Sequence, residues 1–310
     1  MRSASTWRAV LPAMCLILSL GAPGASAAPA AGPMPGVPAG EGRVPYYLPH
    51  MTWEEVEEYL RTSDMVIVPL GSIEQHGKHL PLGSDSIEAT EVSLRIGQKT
   101  GVLVAPAVLA GVSEHHMGFP GTISLSPATF EAVLDDAARS LMAHGFRRIM
   151  IYNGHGGNTP SVSAVVSRLN RETSATVVDL SRIEQPPPDP NLAAIKFDYH
   201  AGVEETSWML HLAGGLVQMA KAENPRLTFP PEVQAILDRT TGPNQGALLD
   251  VMLFEPARSG KRTSTREVSN IGAVTTGDIK SASAEIGKAG VEATVAAAVR
   301  FIETWRQARR

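Results

Sequence analysis

At 310 residues, with 43% apolar but only 5% aromatic content, the chain can bury one large core built mainly from Val, Ile, Leu and Ala, a composition that suits an α/β protein. A formal charge of −4 without a basic stripe argues against nucleic acid as a partner. The single cysteine, Cys15, excludes an intrachain disulfide and any thiolate cluster.

The first element is a targeting segment. Arg2 and Arg8 flank and precede the apolar run 9–20, which is too short for a stable membrane anchor, and Ala25-Ser26-Ala27 is an A-x-A cleavage pattern. Residues 1–27 are therefore expected to be a signal peptide, cleaved after Ala27, with an uncleaved N-terminal anchor as the alternative. This makes the protein exported, periplasmic or secreted, with no membrane attachment after cleavage. Cys15 leaves with the peptide, so a resident metal would be held by His, Asp and Glu. Residues 28–45, rich in Pro, Gly and Ala, read as a disordered spacer, and 46–310 as the folded domain.

Within the domain, 52–63 predicts a helix, with Thr52 as N-cap and Glu55 completing a capping box. The apolar run 65–70 predicts a strand. A helix is expected over 86–100, an apolar strand over 102–109 and a short alternating strand over 122–126. The stretch 126–145 predicts a helix with Pro in its first turn and Gly at its end. A strand and glycine-rich turn follow within 146–158, then a helix over 159–171, a strand over 176–180 and a loop over 185–191. Residues 200–220 read as mostly helical, 221–270 carry no assignable pattern, and a last helix covers 281–308. Short apolar strands alternating with helices imply βαβ units and a mostly parallel sheet covered on both faces. Ligands in such sheets bind beyond the carboxyl ends of the strands.

The polar clusters fall at those ends. In SIEQHGKHLPLGSDS (72–86), Glu74 and His76 stand two apart and share one face of an extended segment. Alone, a solvated pair would explain them. The turn at Pro81 and Gly83 brings Asp85 back toward them, where its two oxygens can bridge two cations; helix capping is its other reading. His155 sits at the apex of NGHGGN (153–158), which lacks the G-x-G-x-x-G spacing of a dinucleotide site. In HAGVEETS (200–207), Glu204 or Glu205 adds a carboxylate, unless both only favour a helix N-terminus. Glu74, His76, Asp85, His155 and one of these glutamates form an all-N/O ligand set suited to two divalent metal ions, Zn²⁺ first, with Mn²⁺ or Fe²⁺ as alternatives. His200 is then left to move protons. His79, Glu114, His115 and His116 are expected pocket residues, with His116 foremost among them. The absence of a G-x-S-x-G elbow disfavours a serine hydrolase.

These motifs together resemble the creatininase (creatinine amidohydrolase) family. The resemblance rests on GSIEQHGKHLPLGSD (71–85), EHHMGFPGTISLS (114–126), NGHGGN (153–158) and HAGVEETS (200–207), in family order over roughly 46–215. It implies a three-layer α/β/α fold, often a homohexamer, and a binuclear metal centre that hydrolyses C–N bonds of cyclic or linear amides. Glu74, Asp85 and His155 would bind one metal, and His76 and Asp85 the other. His200 would be the catalytic His, with Glu205 close to the metals. Creatininase itself carries a Glu where this chain has Gly157, so Glu205 is the expected replacement, with Glu204 as its rival. Relatives with GHGGN include a formamide hydrolase and a peptide-maturing peptidase, which argues against assuming creatinine as substrate. The expected function is an exported metal-dependent amidohydrolase acting on a small-molecule amide. The alternatives are a metal-dependent peptidase and a non-catalytic metal-binding or ligand-binding protein.

Overall fold

The computed structural model describes residues 42–183, 189–239 and 264–308. The expected signal peptide and all but the last four residues of the expected spacer lie outside the described residues. Those last four correct the expected boundary. The Arg43 guanidinium pairs with Glu55 at 2.7 Å, and the Val44 N–H donates to His50 Nδ1 at 2.9 Å, so ordered structure begins before Tyr46.

The centre is a parallel four-stranded sheet in the order β2-β1-β3-β4, from β1 (Met65–Leu70), β2 (Leu103–Val104), β3 (Arg148–Asn153) and β4 (Thr176–Asp179). β1 and β3 pair over their full lengths, Met65 opposite Arg148 through to Leu70 opposite Asn153. All six residues of β1 are buried, as parallel strands covered on both faces must be. Successive side chains serve opposite layers. Val66, Val68, Leu70, Ile149 and Ile151 pack with α1 (Trp53–Leu60), α3 (Pro127–Ala143) and α4 (Thr159–Glu172). Met65, Ile67 and Met150 pack with α2 (Ser84–Thr100) and the C-terminal helix Ala284–Gln307, with Trp208 and Leu212 beside them. This is the expected three-layer α/β/α architecture.

The caps behave as read. Thr52 and Glu55 form the reciprocal capping box of α1, and Ser126 accepts from the Thr129 N–H at the start of α3 with Pro127 in its first turn. Asp85 does not cap α2; Gly83 stands at that position, with no side-chain bond, and leaves the Asp85 carboxylate free for other partners.

Four expectations need correction. The strand expected over 102–109 is only Leu103–Val104, because Pro106 has no N–H to continue the ladder; beyond it, only the Ala105 and Val108 N–H groups reach β1. Residues 122–126 make isolated pairings, Ile123 with Ile73 and Ser124 with Gly111, rather than a strand. The helix expected over 200–220 is α6 (Val203–Ala213). His200 instead ends a short strand, β5 (Asp198–His200), antiparallel to β6 (Val274–Thr275), and Ala201 turns the chain with φ 49°. Part of the loop expected over 185–191 is the short helix α5 (Pro190–Ala193); 184–188 lie outside the described residues. Within the unassigned 221–270, helices form at α7 (Pro231–Leu237) and α8 (Thr265–Val268), while 240–263 lie outside the described residues. Ser283 caps the C-terminal helix, here α9 (Ala284–Gln307).

Candidate metal centre

Four segments meet at the carboxyl ends of β1 and β3. Glu74 and His76 leave β1, Asp85 lies in the first turn of α2, and His155 follows β3. His200 and Glu205 arrive from β5 and α6. All but Glu205 are at most 6% exposed. Glu205 keeps a side-chain exposure of 30%, and so forms the open edge of the cluster.

Asp85 stands between two imidazoles. Its Oδ1 lies 3.0 Å from His76 Nε2, and its Oδ2 lies 3.0 Å from His155 Nδ1. Glu74 Oε2 is 3.3 Å from His155 Nε2, and Glu74 Oε1 is 3.6 Å from His200 Nδ1. Glu205 Oε2 is 3.8 Å from His76 Nε2 and 4.0 Å from His200 Nδ1. Ligand atoms of Glu74, His76 and Asp85, of His76, His200 and Glu205, and of Glu74, His116 and His200 each lie within 4.8 Å of one another.

The ring orientations explain this convergence. His76 Nδ1–H donates to the Glu74 carbonyl at 3.1 Å, His155 Nε2–H to the Val112 carbonyl at 3.0 Å, and His200 Nε2–H to the Gln75 carbonyl at 2.6 Å. These tautomers follow from the hydrogen-bond network. Each ring then turns a bare nitrogen toward a carboxylate. Two acceptors at 3.0 Å repel unless a proton or a cation lies between them. Glu74 Oε1 and Asp85 Oδ2 are moreover buried without an aligned hydrogen bond, Oδ2 even with His155 Nδ1 so near. Carbonyl-oriented imidazoles beside buried carboxylates are a donor set that fits divalent metal.

Without a cation, protons fill that role. Burial opposes charge on Asp85, yet His76 and His155 outweigh it and hold the carboxyl well below its usual range. Burial likewise opposes protonation of His76, but Asp85, then Glu205 and Glu74, lift it well above its ordinary value. Against the same burial, Glu74 and Asp85 raise His155 to about 9. His200, His116 and His115 are pushed well below the ordinary imidazole value, chiefly by burial. Burial raises Glu205, with His76 opposing.

The missing carboxylate at Gly157 has a steric reason. A Cβ there would lie 2.2 Å from the Val112 carbonyl oxygen and 2.4 Å from His155 Nε2, so the backbone leaves no room for any side chain. Of the two glutamates on α6, Glu205 faces the cluster and accepts from the Ala201 N–H at 2.6 Å. Glu204 is exposed, and its backbone N–H donates to Asp198. The expected pocket residues divide. His115 and His116 are buried on the 3-10 turn Glu114–His116, with His116 Nε2 3.2 Å from Glu74 Oε1. His79 is buried one step away, its Nε2 2.8 Å from Thr206 Oγ1. Glu114 starts that turn and is not one of the clustered ligands. Sequence reasoning missed Gln75, Ser72, Ser113 and Thr265. Ser72 donates to Glu74 at 3.2 Å, Ser113 lies 3.2 Å from His155 Nε2, and Gln75 and Thr265 hold His116. Gln75 and Ser72 stood inside the quoted motif; Ser113 and Thr265 gave no signal.

Known proteins give the same reading. The family model for creatinine amidohydrolase, Creatininase, matches residues 49–302. A creatinine amidohydrolase of Pseudomonas putida is 32% identical over 225 residues, which is 65% of this chain and 85% of that protein. A mycofactocin precursor peptide peptidase of Mycolicibacterium smegmatis is 39% identical over 155 residues, 48% of this chain and 58% of that protein. Among solved structures, a mutant creatininase complexed with creatine superposes with a TM-score of 0.63 at 26% identity, covering 84% of this chain and 98% of that one. Creatininase has also been solved in a form described as Zn-Zn and in one described as Mn, with TM-scores of 0.62 and 0.63. With its matched model, its parallel sheet and its cluster of potential metal ligands, this chain belongs to the creatininase family of hydrolases.

Proposed function

We propose that the protein is an exported, metal-dependent amidohydrolase that cleaves a C–N amide bond of a small cyclic amide or formamide with an activated water. The observation that carries this reading is the set of three imidazoles, each fixed by a backbone carbonyl and each turning its other nitrogen to a buried carboxylate. Glu74, Asp85 and His155 would hold one divalent ion, and His76, Asp85 and Glu205 the other, with Asp85 shared. Zn²⁺ is the first choice for both, with Mn²⁺ or Fe²⁺ as alternatives. Such ions supply Lewis-acid polarisation of a carbonyl and a water acidic enough to ionise near neutral pH.

The remaining work falls to the chain. His200 is neutral, kept so by burial, with Nδ1 bare and directed at the cluster. It is placed to take the proton of the attacking water and deliver it to the leaving nitrogen. Glu205, at the open edge, is the carboxylate nearest to an entering substrate. The test combines metal content with turnover on a panel of lactams, formamides and short peptides. Two divalent ions per chain and turnover abolished in Asp85→Ala are expected; full turnover in that variant would refute the reading.

The second reading is a peptidase. It is favoured by the 39% identity to a peptide peptidase and by Gly157, which stands where creatininase itself carries a Glu. The same panel decides between them. A non-catalytic binder would tolerate His200→Ala in ligand affinity, whereas a hydrolase loses most of its rate. Export predicts a mature N-terminus at Ala28, read by N-terminal sequencing of secreted protein. Assembly as a homo-oligomer, a hexamer by family resemblance, is tested by light scattering.

A further inference from the structure

The His116 and His200 rings lie tilted at a centroid distance of 4.2 Å beside Glu74, and both come within reach of the same carboxylate oxygen. Distance alone would make both of them ligands. Their hydrogen bonds separate them, and the residue that does so is Gln75.

Two backbone groups fix the Gln75 carboxamide. The Gly77 N–H donates to its Oε1 at 3.0 Å, and its Nε2 donates to the Gly272 carbonyl at 3.1 Å. Its amide therefore cannot be flipped without losing both bonds. Gly272, with φ +90°, makes room for it, since a Cβ there would lie 1.8 Å from Gln75 Oε1. The Nε2 group has a second hydrogen. His200 Nε2, 2.9 Å away, already carries a proton donated to the Gln75 carbonyl, so it cannot accept. His116 Nδ1, also 2.9 Å away, can. Thr265 Oγ1, 2.7 Å from the same nitrogen, competes with the Gln75 N–H for its single lone pair, and donation by either leaves Nδ1 without a proton. A neutral imidazole that accepts at Nδ1 carries its proton at Nε2. His116 is 1% exposed, Gln75 4% and Thr265 3%, so solvent does not compete for these bonds.

We propose that His116 is not a metal ligand but a fixed Nε2–H donor, and that it donates to the substrate's carbonyl oxygen as that oxygen gains charge. Glu74 Oε1, 3.2 Å from this nitrogen, receives no aligned hydrogen bond, so the donor is not committed to it. The neighbouring rings thus share the Nε2–H tautomer but turn different nitrogens to Glu74, His116 its protonated Nε2 and His200 its bare Nδ1. His200 offers a lone pair and His116 offers a proton, side by side at the edge of the donor set. This pairing suits attack on a carbonyl, in which one group must accept a proton while another stabilises the developing oxyanion. The role of His116 as substrate donor rests on the hydrolase reading above; its tautomer and its exclusion as a ligand do not.

The experiment uses the full folded chain loaded with zinc and labelled with ¹⁵N-histidine. Two-bond ¹⁵N–¹H correlations read the tautomer, and the signal lost in His116→Gln identifies the residue. The expected spectrum has a protonated Nε2 and a bare Nδ1. Metal per chain should be the same in wild type, His116→Gln and His116→Leu. On the best substrate of the amide panel, His116→Leu should lose about 100-fold in kcat with little change in KM. His116→Gln, which keeps an N–H, should recover part of that loss. A bare Nε2, a fall in bound metal, or an unchanged kcat in His116→Leu would overturn the proposal. If the leucine variant does not fold, the glutamine variant and the wild-type tautomer still decide it. Should no substrate of the panel turn over, the hydrolase reading fails and the oxyanion role with it, while tautomer and metal content still separate donor from ligand.

Discussion

Gly157→Ala tests the steric account of the glycine turn directly. The added methyl would sit 2.2 Å from the Val112 carbonyl oxygen and 2.4 Å from His155 Nε2, more than an ångström inside ordinary contact with both. One of the two must move, and either movement breaks the 3.0 Å bond that orients His155. Overpacking costs about 1–3 kcal/mol, and leaving the buried imidazole N–H unpaired about 1–3 kcal/mol more. A total near 3 kcal/mol corresponds to a fall of about 6–12 °C in Tm for a domain of this size. A thermal melt with and without zinc is the assay. The zinc-dependent part of the stabilisation should shrink as well, because a displaced His155 no longer faces Asp85. A variant that melts with wild type and binds the same metal would show that the turn has slack and that its glycine is incidental. Gly157→Glu should behave no better, since the obstacle is the Cβ itself.

Three other outcomes follow from the same structure. Loading the metal-free protein with zinc near pH 7 should release about three protons, because Asp85 and Glu74 keep His76 and His155 protonated and burial raises the Glu205 carboxyl to about 8 until a cation displaces these protons, so affinity rises with pH and the release fades above about 9. Calorimetry in buffers of different ionisation enthalpy measures this, and a buffer-independent heat would contradict it. Burial lowers His79 from 6.5 to about 4, so the unfolded chain binds the extra proton first; its stabilising contribution is complete above 6.5 and is lost as pH falls toward 4, by at most about 3 kcal/mol. Urea unfolding at pH 7 and 4.5 should show a smaller pH dependence in His79→Leu than in wild type; an identical dependence would sink the assignment. Gly287→Ala would drive a Cβ to 1.8 Å from the Ser207 carbonyl where α9 crosses α6; a lower Tm with normal metal per folded chain is expected, and an unchanged melt would refute the close crossing.

The sheet was legible because β1 and the 149–152 centre of β3 are unbroken apolar runs bounded by polar residues, a pattern with few other solutions. The ligand-bearing ends were legible for a related reason: Glu74, His76, Asp85 and His155 crowd the ends of apolar strands, where they serve no core. His200 was harder. Three residues, Asp198 to His200, are too few to show an alternating pattern, and the acids that follow imitate a helix start. What separates the strand from α6 is the positive φ of Ala201, which nothing in an alanine announces. Gln75 and Thr265 were illegible in principle, because their role lies in partners 41 and 149 residues from them. A carboxamide or hydroxyl in isolation carries no sign of which imidazole it will meet.

The site's precision therefore rests more on backbone than on its reactive side chains. The carbonyls of Glu74 and Gln75, adjacent in sequence, orient His76 and His200, and the carbonyl of Val112 orients His155. A side-chain partner in those places can be replaced by mutation, but a carbonyl moves only if its segment moves. The 74–75 dipeptide is tied down in turn: the Glu74 N–H bonds to Leu82 at 2.8 Å, and the Gln75 N–H to Thr122 Oγ1 at 3.3 Å. Thr122→Val removes the second tie without touching any proposed ligand. It should loosen His76 and His200 together, and zinc affinity and turnover should fall in parallel. If turnover fell while zinc affinity held, the orientation of these rings by the shared dipeptide would not be what sets the metal site.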